Sequence, residues 1–246
     1  MNAWSREDII IAYALYCVTP LGKINPSNKV IRQVAEIIPH SVASIVMRMR
    51  NFRYIDPKVS SGLKNVAKAD RMIYEEFKHD WGSLSLEAET LTGLAIFDSS
   101  PLQGAKPLSS LTNHGKVSRE RHFFKQAVLA AYDDRCFISG CALPQMLVAS
   151  HIKPYSQCRS EADRVSPDNG ICLNTFYDKA FDRGLITITP SMKIYVSPII
   201  LNSPQDAFTA RWLTSLDGMV LPPPPRFPPR RELLEYHNDE IFRRVT

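Results

Sequence analysis

Four side chains in this sequence have the types and spacing that could carry out chemistry: His151, Asn169, Asp178 and Asp182. The two aspartates are four residues apart, so on a helix they would lie on one face. Carboxylate oxygens are the ligands that hard divalent cations such as Mg²⁺ or Mn²⁺ prefer. A histidine that faces such an ion can take a proton from water, while the ion stabilises charge on a phosphate and on a leaving oxygen. The set therefore suits hydrolysis of a phosphodiester.

Short elements would have to hold these side chains together. Apolar runs at 137–138 and 147–149 are separated by turn residues and predict a small antiparallel pair of strands, with His151 just past the second. Asn169 precedes a glycine, and both residue types tolerate the positive φ of a tight turn. A helix over residues 173–182 would then carry the two aspartates on one face.

The segments ASHI (149–152), PDNG (167–170) and YDKAFDRG (177–184) resemble the HNH endonuclease family, which has a ββα-metal fold. The resemblance implies that His151 is the general base and that Asn169 fixes the loop and orients the base. It implies that Asp178 binds one divalent metal ion per active site, Mg²⁺ or Mn²⁺, with Asp182 as a weaker second ligand. The C-terminal segment (234–242) is similar to that of prokaryotic restriction-type endonucleases, which suggests restriction of foreign DNA.

Three departures from the family pattern bear on metal binding. Ser150 precedes the expected base where many relatives have a metal-binding Asp or His, and Tyr177 stands where many have a histidine. Loose metal binding would follow, so an HNH scaffold that binds DNA as a regulator, with weak or no catalysis, is an alternative. Many relatives hold a structural zinc with two Cys pairs, but Cys136 and Cys141 have no second close pair here, and no structural zinc is predicted.

The patterns along the chain, together with the HNH resemblance, indicate an α+β protein of two domains. The chain has 246 residues, of which 44% are hydrophobic and 22% charged, as in ordinary globular proteins. Amphipathic patterns predict helices through residues 1–98. Residues 99–118 are rich in Ser, Pro, Gly and Asn and show no periodic spacing of apolar residues. We therefore predict a helical DNA-binding domain (1–98), a linker (99–118) and an HNH nuclease domain (119–246) that ends in a Pro-rich strap and a helix.

The first domain contains a pattern typical of a helix-turn-helix. A helix over about 29–38 is followed by a short turn and a second helix over about 42–52, and in this motif the second helix enters the major groove. Arginine and asparagine suit guanine and adenine edges, and serine suits phosphate. The alternative is an amphipathic helix whose polar side is simply solvated. The residues predicted to contact DNA here are Ser44, Arg48, Arg50 and Asn51.

Charge favours duplex DNA as the partner. The net charge is +5, and Lys153 and Arg183 lie near the predicted site in sequence, where they could hold phosphates. Cutting both strands would call for two sites, so a homodimer is expected. The sequence has no apolar run of membrane-spanning length and no signal-peptide pattern, and its five cysteines fit reduced thiols, so we expect a cytoplasmic protein. A nonspecific nuclease toxin is a further alternative.

Overall fold

A computed structural model describes residues 3–55, 66–93, 113–204 and 206–242 of the chain. It divides the chain into two compact units, Met1–Asp133 and Asp134–Thr246. Most of the predicted linker (99–118) lies outside the described residues, which resume at 113. No helix in the described ranges is both long and apolar enough to cross a membrane.

The first unit is helical and is built around its first helix. Ser5 and Asp8 form a capping box, so the helix begins at Arg6. The helices described in this unit are α1 (Arg6–Val18), α2 (Lys29–Ala35), α3 (Val42–Ile55), α4 (Lys68–Phe77), α5 (Trp81–Thr92) and α6 (Asn113–Ala131). Every residue of α1 from Asp8 to Cys17 is buried, because α3, α4, α5 and α6 pack around this helix.

Helix α6 belongs to this unit by its contacts. Its residues Phe123, Ala127 and Val128 are fully buried, and the helix packs against α1 and α5. The sequence prediction had assigned everything from residue 119 onward to the second domain. The structure instead groups the chain up to Asp133 with the first unit, since the apolar face of α6 completes the core around α1.

The second unit begins with a ββα arrangement. Strand β1 (Leu147–His151) pairs with β2 (Gly170–Asn174) in antiparallel register, with His151 opposite Gly170. The prediction that 137–138 is the partner of β1 is wrong. A turn occupies that segment, closed by a hydrogen bond from the Cys136 amide to the Cys141 carbonyl (2.8 Å), and the Phe137 amide donates to the Cys172 carbonyl of β2 (2.7 Å).

Helix α8 (Thr175–Asp182) follows β2 directly. The Asn174 side chain caps it by accepting a hydrogen bond from the Tyr177 amide (2.9 Å), so the helix begins two residues later than predicted. Between the strands lies the short helix α7 (Glu161–Val165). Helix α8 packs against both strands, and its last residue, Asp182, lines the same cavity as His151 at the end of β1.

The rest of the second unit lies around α8. Strands β3 (Ile186–Ile188) and β4 (Ile194–Val196) form an antiparallel hairpin, and β3 contacts α8. Two short helices, α9 (Pro198–Leu201) and α10 (Ala207–Trp212), precede a Pro-rich segment. The final helix, α11 (Arg231–Tyr236), continues as one turn of π-helix (His237–Ile241).

Candidate active site

His151 ends β1 and is held by the segment between the two strands. Its Nε2 lies 2.9 Å from the carbonyl oxygen of Arg164, and its ring meets the Tyr155 ring edge to face at 6.0 Å. A carbonyl only accepts, so Nε2 must carry the proton. Nδ1 is then the basic nitrogen of the neutral imidazole, as a general base requires.

Asn169 fixes the backbone that follows His151. It is fully buried, and its Oδ1 accepts a hydrogen bond from the Lys153 amide (2.9 Å). Its Nδ2 donates to the carbonyls of Lys153 (3.2 Å) and Asp163 (3.0 Å) and lies 3.4 Å from the Cys158 sulfur. Each polar atom of the amide is thus engaged, and the two ends of the inter-strand segment are joined to each other.

The two aspartates lie one turn apart on α8. Asp178 is half-buried in the first turn, while Asp182 ends the helix and is exposed. Protein atoms crowd the Asp182 carboxylate and raise its pKa, and the negative charge of Asp178 raises that pKa further. The like-charge effect shows that the two carboxylates are electrostatically coupled.

A cavity of about 280 Å³ brings His151 together with the acidic end of α8. The polar residues that line it are His151, Asp182, Arg183, His237 and Glu240. We call this cavity the cleft. Asp178 is not among the described residues that line it. A larger cavity of about 780 Å³ lies between the β3–β4 hairpin and α11, but none of the predicted site residues lines it.

The donor chemistry of α8 fits a hard, hydrated cation. Among the described residues, no group of three or more His, Cys, Asp or Glu side chains is placed to hold a metal ion. Mg²⁺ commonly binds through only one or two carboxylates and keeps several waters, so a site with these aspartates would not need a third protein ligand. A cation would also relieve the repulsion that raises the pKa of Asp182.

Ser150 and Tyr177, which depart from the family pattern, are both buried away from the cleft. Ser150 is 2% exposed, and its hydroxyl has no hydrogen-bond partner in the described part of the chain. Tyr177 is 3% exposed, and burial raises the pKa of its hydroxyl. Neither side chain lines the cleft. Among the described residues, the acidic side chains that line it are those of Asp182 and Glu240.

The C-terminal segment supplies a wall of the cleft that the sequence prediction missed. The His237 ring stacks on Phe181 at 3.6 Å, and its nitrogens lie 2.8 Å from the Thr187 hydroxyl and 3.2 Å from the Phe181 carbonyl. Burial lowers the pKa of His237 to about 4, so it is neutral at physiological pH. His237 thereby fastens the π-turn, and with it Glu240, to the end of α8.

The predicted DNA-contacting side chains of α3 are placed in two different ways. Arg48 pairs with the fully buried Asp70 of α4 and lies 4.3 Å from the Trp4 ring, and Asn51 donates to the other Asp70 oxygen (3.2 Å). Both polar groups are therefore engaged inside the first unit, which does not support base contacts by them. Arg50 is exposed, and Ser44 is half-buried.

The two basic residues predicted near the site also differ. Arg183 follows Asp182, is exposed, and lines the cleft. Lys153 is half-buried, with its ammonium 4.5 Å from the centre of the Tyr236 ring. Arg183 is therefore the better placed of the two to meet a phosphate in the cleft.

Comparison with known proteins agrees with the resemblance seen in the motif. Residues 136–189 match a family model described as HNH endonuclease. The match covers β1, β2, α8 and β3, and so includes His151, Asn169, Asp178 and Asp182. Proteins with this domain are nucleases that act on DNA and generally use a divalent metal. The chain has no match among curated proteins.

Proposed function

We propose that this protein is a divalent-metal-dependent DNA endonuclease of restriction type. The observation that carries the proposal is the cleft, in which His151, whose Nε2 is hydrogen-bonded to the Arg164 carbonyl, lies beside an aspartate and an arginine. That combination provides a base, an acidic group for a cation and a guanidinium for phosphate. The match to HNH endonucleases over residues 136–189 supports the same chemistry.

In the proposed reaction, Nδ1 of His151 takes a proton from water as the water oxygen attacks phosphorus. The bond from phosphorus to the 3′ oxygen breaks, leaving a 5′ phosphate, and the 3′ oxygen takes a proton from solvent. Arg183 holds a phosphate oxygen through charge-assisted hydrogen bonds. Asp178 and Asp182 would hold the divalent ion, which supplies positive charge beside the phosphate and the leaving oxygen.

The Arg164 carbonyl and the Asn169 side chain position these groups. The Arg164 carbonyl keeps the proton of His151 on Nε2, so that Nδ1 stays basic. Asn169 holds the backbone of Lys153, two residues after His151, through two hydrogen bonds. A fixed geometry of this kind contributes to rate because the base then needs no reorganisation when it takes the proton from the attacking water.

The first unit is the proposed DNA-binding part. Residues 1–60 carry eight Lys or Arg against four acidic residues, which favours contact with a polyanion. Of the predicted side chains on α3, Arg50 is open to solvent, and the half-buried Ser44 lies one turn into the helix. These two are the proposed phosphate contacts, and a homodimer would supply the second site needed for a double-strand break.

Plasmid cleavage tests the proposal. Wild-type protein should nick supercoiled plasmid in Mg²⁺ or Mn²⁺ and not in EDTA, giving ends with a 5′ phosphate that ligase can seal. Asp182→Asn should raise the Mg²⁺ concentration needed for half-maximal cleavage at least about tenfold, since one of two anionic ligands is lost. Glu36→Gln, which removes an exposed carboxylate of the first unit, is the matched control and should behave as wild type. Metal-independent nicking would contradict the proposal.

The alternative is a DNA-binding regulator that does not cut. It is favoured by Ser150 and Tyr177, which stand where many relatives have metal ligands. Both side chains are buried, and neither lines the cleft. A protein of this class would retain duplex DNA in a mobility-shift assay while leaving plasmid intact at every metal concentration. Cleavage of methylated and unmethylated plasmid alike would instead favour the nonspecific nuclease toxin.

A further inference from the structure

The Pro-rich segment of residues 221–230, here called the strap, is attached to the segment between β1 and β2. Arg230, its last residue, places Nη2 2.7 Å from the Asp163 carboxylate and Nε 3.0 Å from that of Asp168. Its amide also donates to the Asp168 carbonyl (3.1 Å). Glu232 is a weaker third partner at 3.4 Å. One guanidinium thus joins two acidic residues of the inter-strand segment.

The attachment point adjoins the residue that orients the predicted base. Asp163 directly precedes Arg164, whose carbonyl accepts the Nε2 hydrogen of His151. The Asp163 carbonyl in turn accepts from the buried amide of Asn169. Two contacts to Asp163 therefore set the position of the Arg164 carbonyl. Asn169 holds the backbone of Asp163, and Arg230 holds its side chain.

The ion pairs are better placed than ordinary surface pairs. The Arg230 side chain is 31% exposed and those of Asp163 and Asp168 are 33% and 21% exposed, so all three are largely shielded from solvent. The hydrogen bond from Arg230 also holds the pKa of Asp163 below its usual range. The strap is also held at Arg226, whose side chain is fully buried.

We propose that Arg230 is a positioning residue for cleavage, which keeps the Arg164 carbonyl in place and thereby holds the proton of His151 on Nε2. The inference rests on the proposed nuclease function. It assigns the strap a role in catalysis rather than that of a spacer. Arg230 touches neither His151 nor the cleft in the described contacts, so it acts only through the 163–169 segment.

A merely structural role predicts a different outcome. If Arg230 only fastened the strap, its loss would lower the stability of the second unit without changing the state of the His151 ring. If it positions the base, its loss frees the Arg164 carbonyl and lets His151 shift between its two neutral tautomers. The tautomer of His151 therefore separates the two roles, and it can be read without any cleavage.

The test uses the full-length protein labelled with ¹⁵N in histidine. The imidazole nitrogens are observed by NMR at a pH where the ring is neutral, and the His151 signals are identified by their loss in His151→Asn. Wild type should show the Nε2-protonated form, and Arg230→Gln should move the shifts toward a mixture. Arg231→Gln is the matched control, because Arg231 is exposed and pairs with Glu235 (2.8 Å) on its own helix.

Two further variants keep the proposal falsifiable. Arg230→Lys retains the charge and should restore part of the wild-type tautomer. Asp163→Asn weakens the same attachment from the other side, so it should move the His151 signals in the same direction, and it replaces Arg230→Gln if that protein does not fold. Identical His151 spectra in Asp163→Asn, Arg230→Gln and Arg231→Gln would overturn the inference.

Cleavage provides the second readout. A displacement of a reacting group by about 1 Å can cost on the order of 100-fold in rate, so Arg230→Gln should lower kcat about 10- to 100-fold with KM changed less than about threefold. Arg231→Gln should cleave as wild type. If wild type itself fails to cut DNA, the proposed function falls while the NMR comparison still decides the role of Arg230. If wild type cuts and Arg230→Gln cuts equally well, the positioning role alone is refuted.

Discussion

His237 should make the second unit sensitive to mild acid. It is 1% exposed, its two nitrogens are hydrogen-bonded to Thr187 and Phe181, and burial holds its pKa at about 4. In the unfolded chain the same imidazole titrates near pH 6.5. Between these two values the unfolded chain binds a proton that the folded protein does not. The contribution of His237 to the free energy of unfolding is therefore fully present above about pH 6.5 and is lost as the pH falls toward 4.

The magnitude follows from the two pKa values. Going from pH 8 to pH 5, this single group should remove about 2 kcal/mol from the free energy of unfolding of the second unit. His237→Gln removes the titration, so the variant should lose about 2 kcal/mol less than wild type over the same interval. His79→Gln, which replaces an exposed histidine of the first unit, is the control and should follow wild type.

The measurement must report on the second unit alone. Urea denaturation at each pH, read by pulsed hydrogen exchange in peptides that cover β2 and α8, does so. The result depends on the difference between variant and wild type, so the titration of other groups cancels. If wild type and His237→Gln lose the same stability between pH 8 and pH 5, His237 is not held neutral by burial and the π-turn is not attached to α8 as described.

Three further predictions concern other parts of the molecule. Asn169→Ala should destabilise the second unit by roughly 2–4 kcal/mol in urea denaturation, because the Lys153 amide and two carbonyls lose their hydrogen-bond partner. The variant should also cleave DNA more slowly. A loss of stability below about 0.5 kcal/mol would refute this prediction. Asp70→Ala should destabilise the first unit by about 3–5 kcal/mol, since it leaves the Arg48 guanidinium without its buried partner, and thermal unfolding would detect it. Arg50→Ala should weaken binding to all duplexes alike and reduce the slope of log affinity against log salt by about 1; an unchanged slope would remove Arg50 from the interface.

The sequence carries most of the information about the centre of the second unit because that information is local. His151, Asn169 and Asp182 occupy 32 consecutive residues, and the Asn174 cap and the apolar residues of α8 fix the helix within that stretch. Period and turn chemistry therefore predict the turn and the helix, while the roles proposed for these residues rest on the resemblance to HNH endonucleases. The strand pairing was mistaken for a related reason. The partner of β1 is chosen by long-range burial of β2, which no local pattern around 137–138 reveals.

Long-range contacts also explain what the sequence left out. Arg48 and Asn51 look like an open polar face, but their partner Asp70 lies on another helix and is fully buried, so the face is covered. Similarly, His237 and Arg230 lie far along the chain from the groups they contact. A lone histidine and an arginine at the end of a proline run give no local sign of the side chains they will meet.

The most direct test of the proposed catalytic cleft is single-turnover cleavage of plasmid by His151→Ala in Mg²⁺. Removal of a general base should lower the rate at least about 100-fold, while circular dichroism, thermal unfolding and retention of DNA in a mobility-shift assay stay as in wild type. The exposed-histidine variant His79→Ala should cleave at the wild-type rate. Cleavage by His151→Ala within a few-fold of wild type would contradict the assignment of His151 as the base and, with it, the proposed hydrolysis at this cleft.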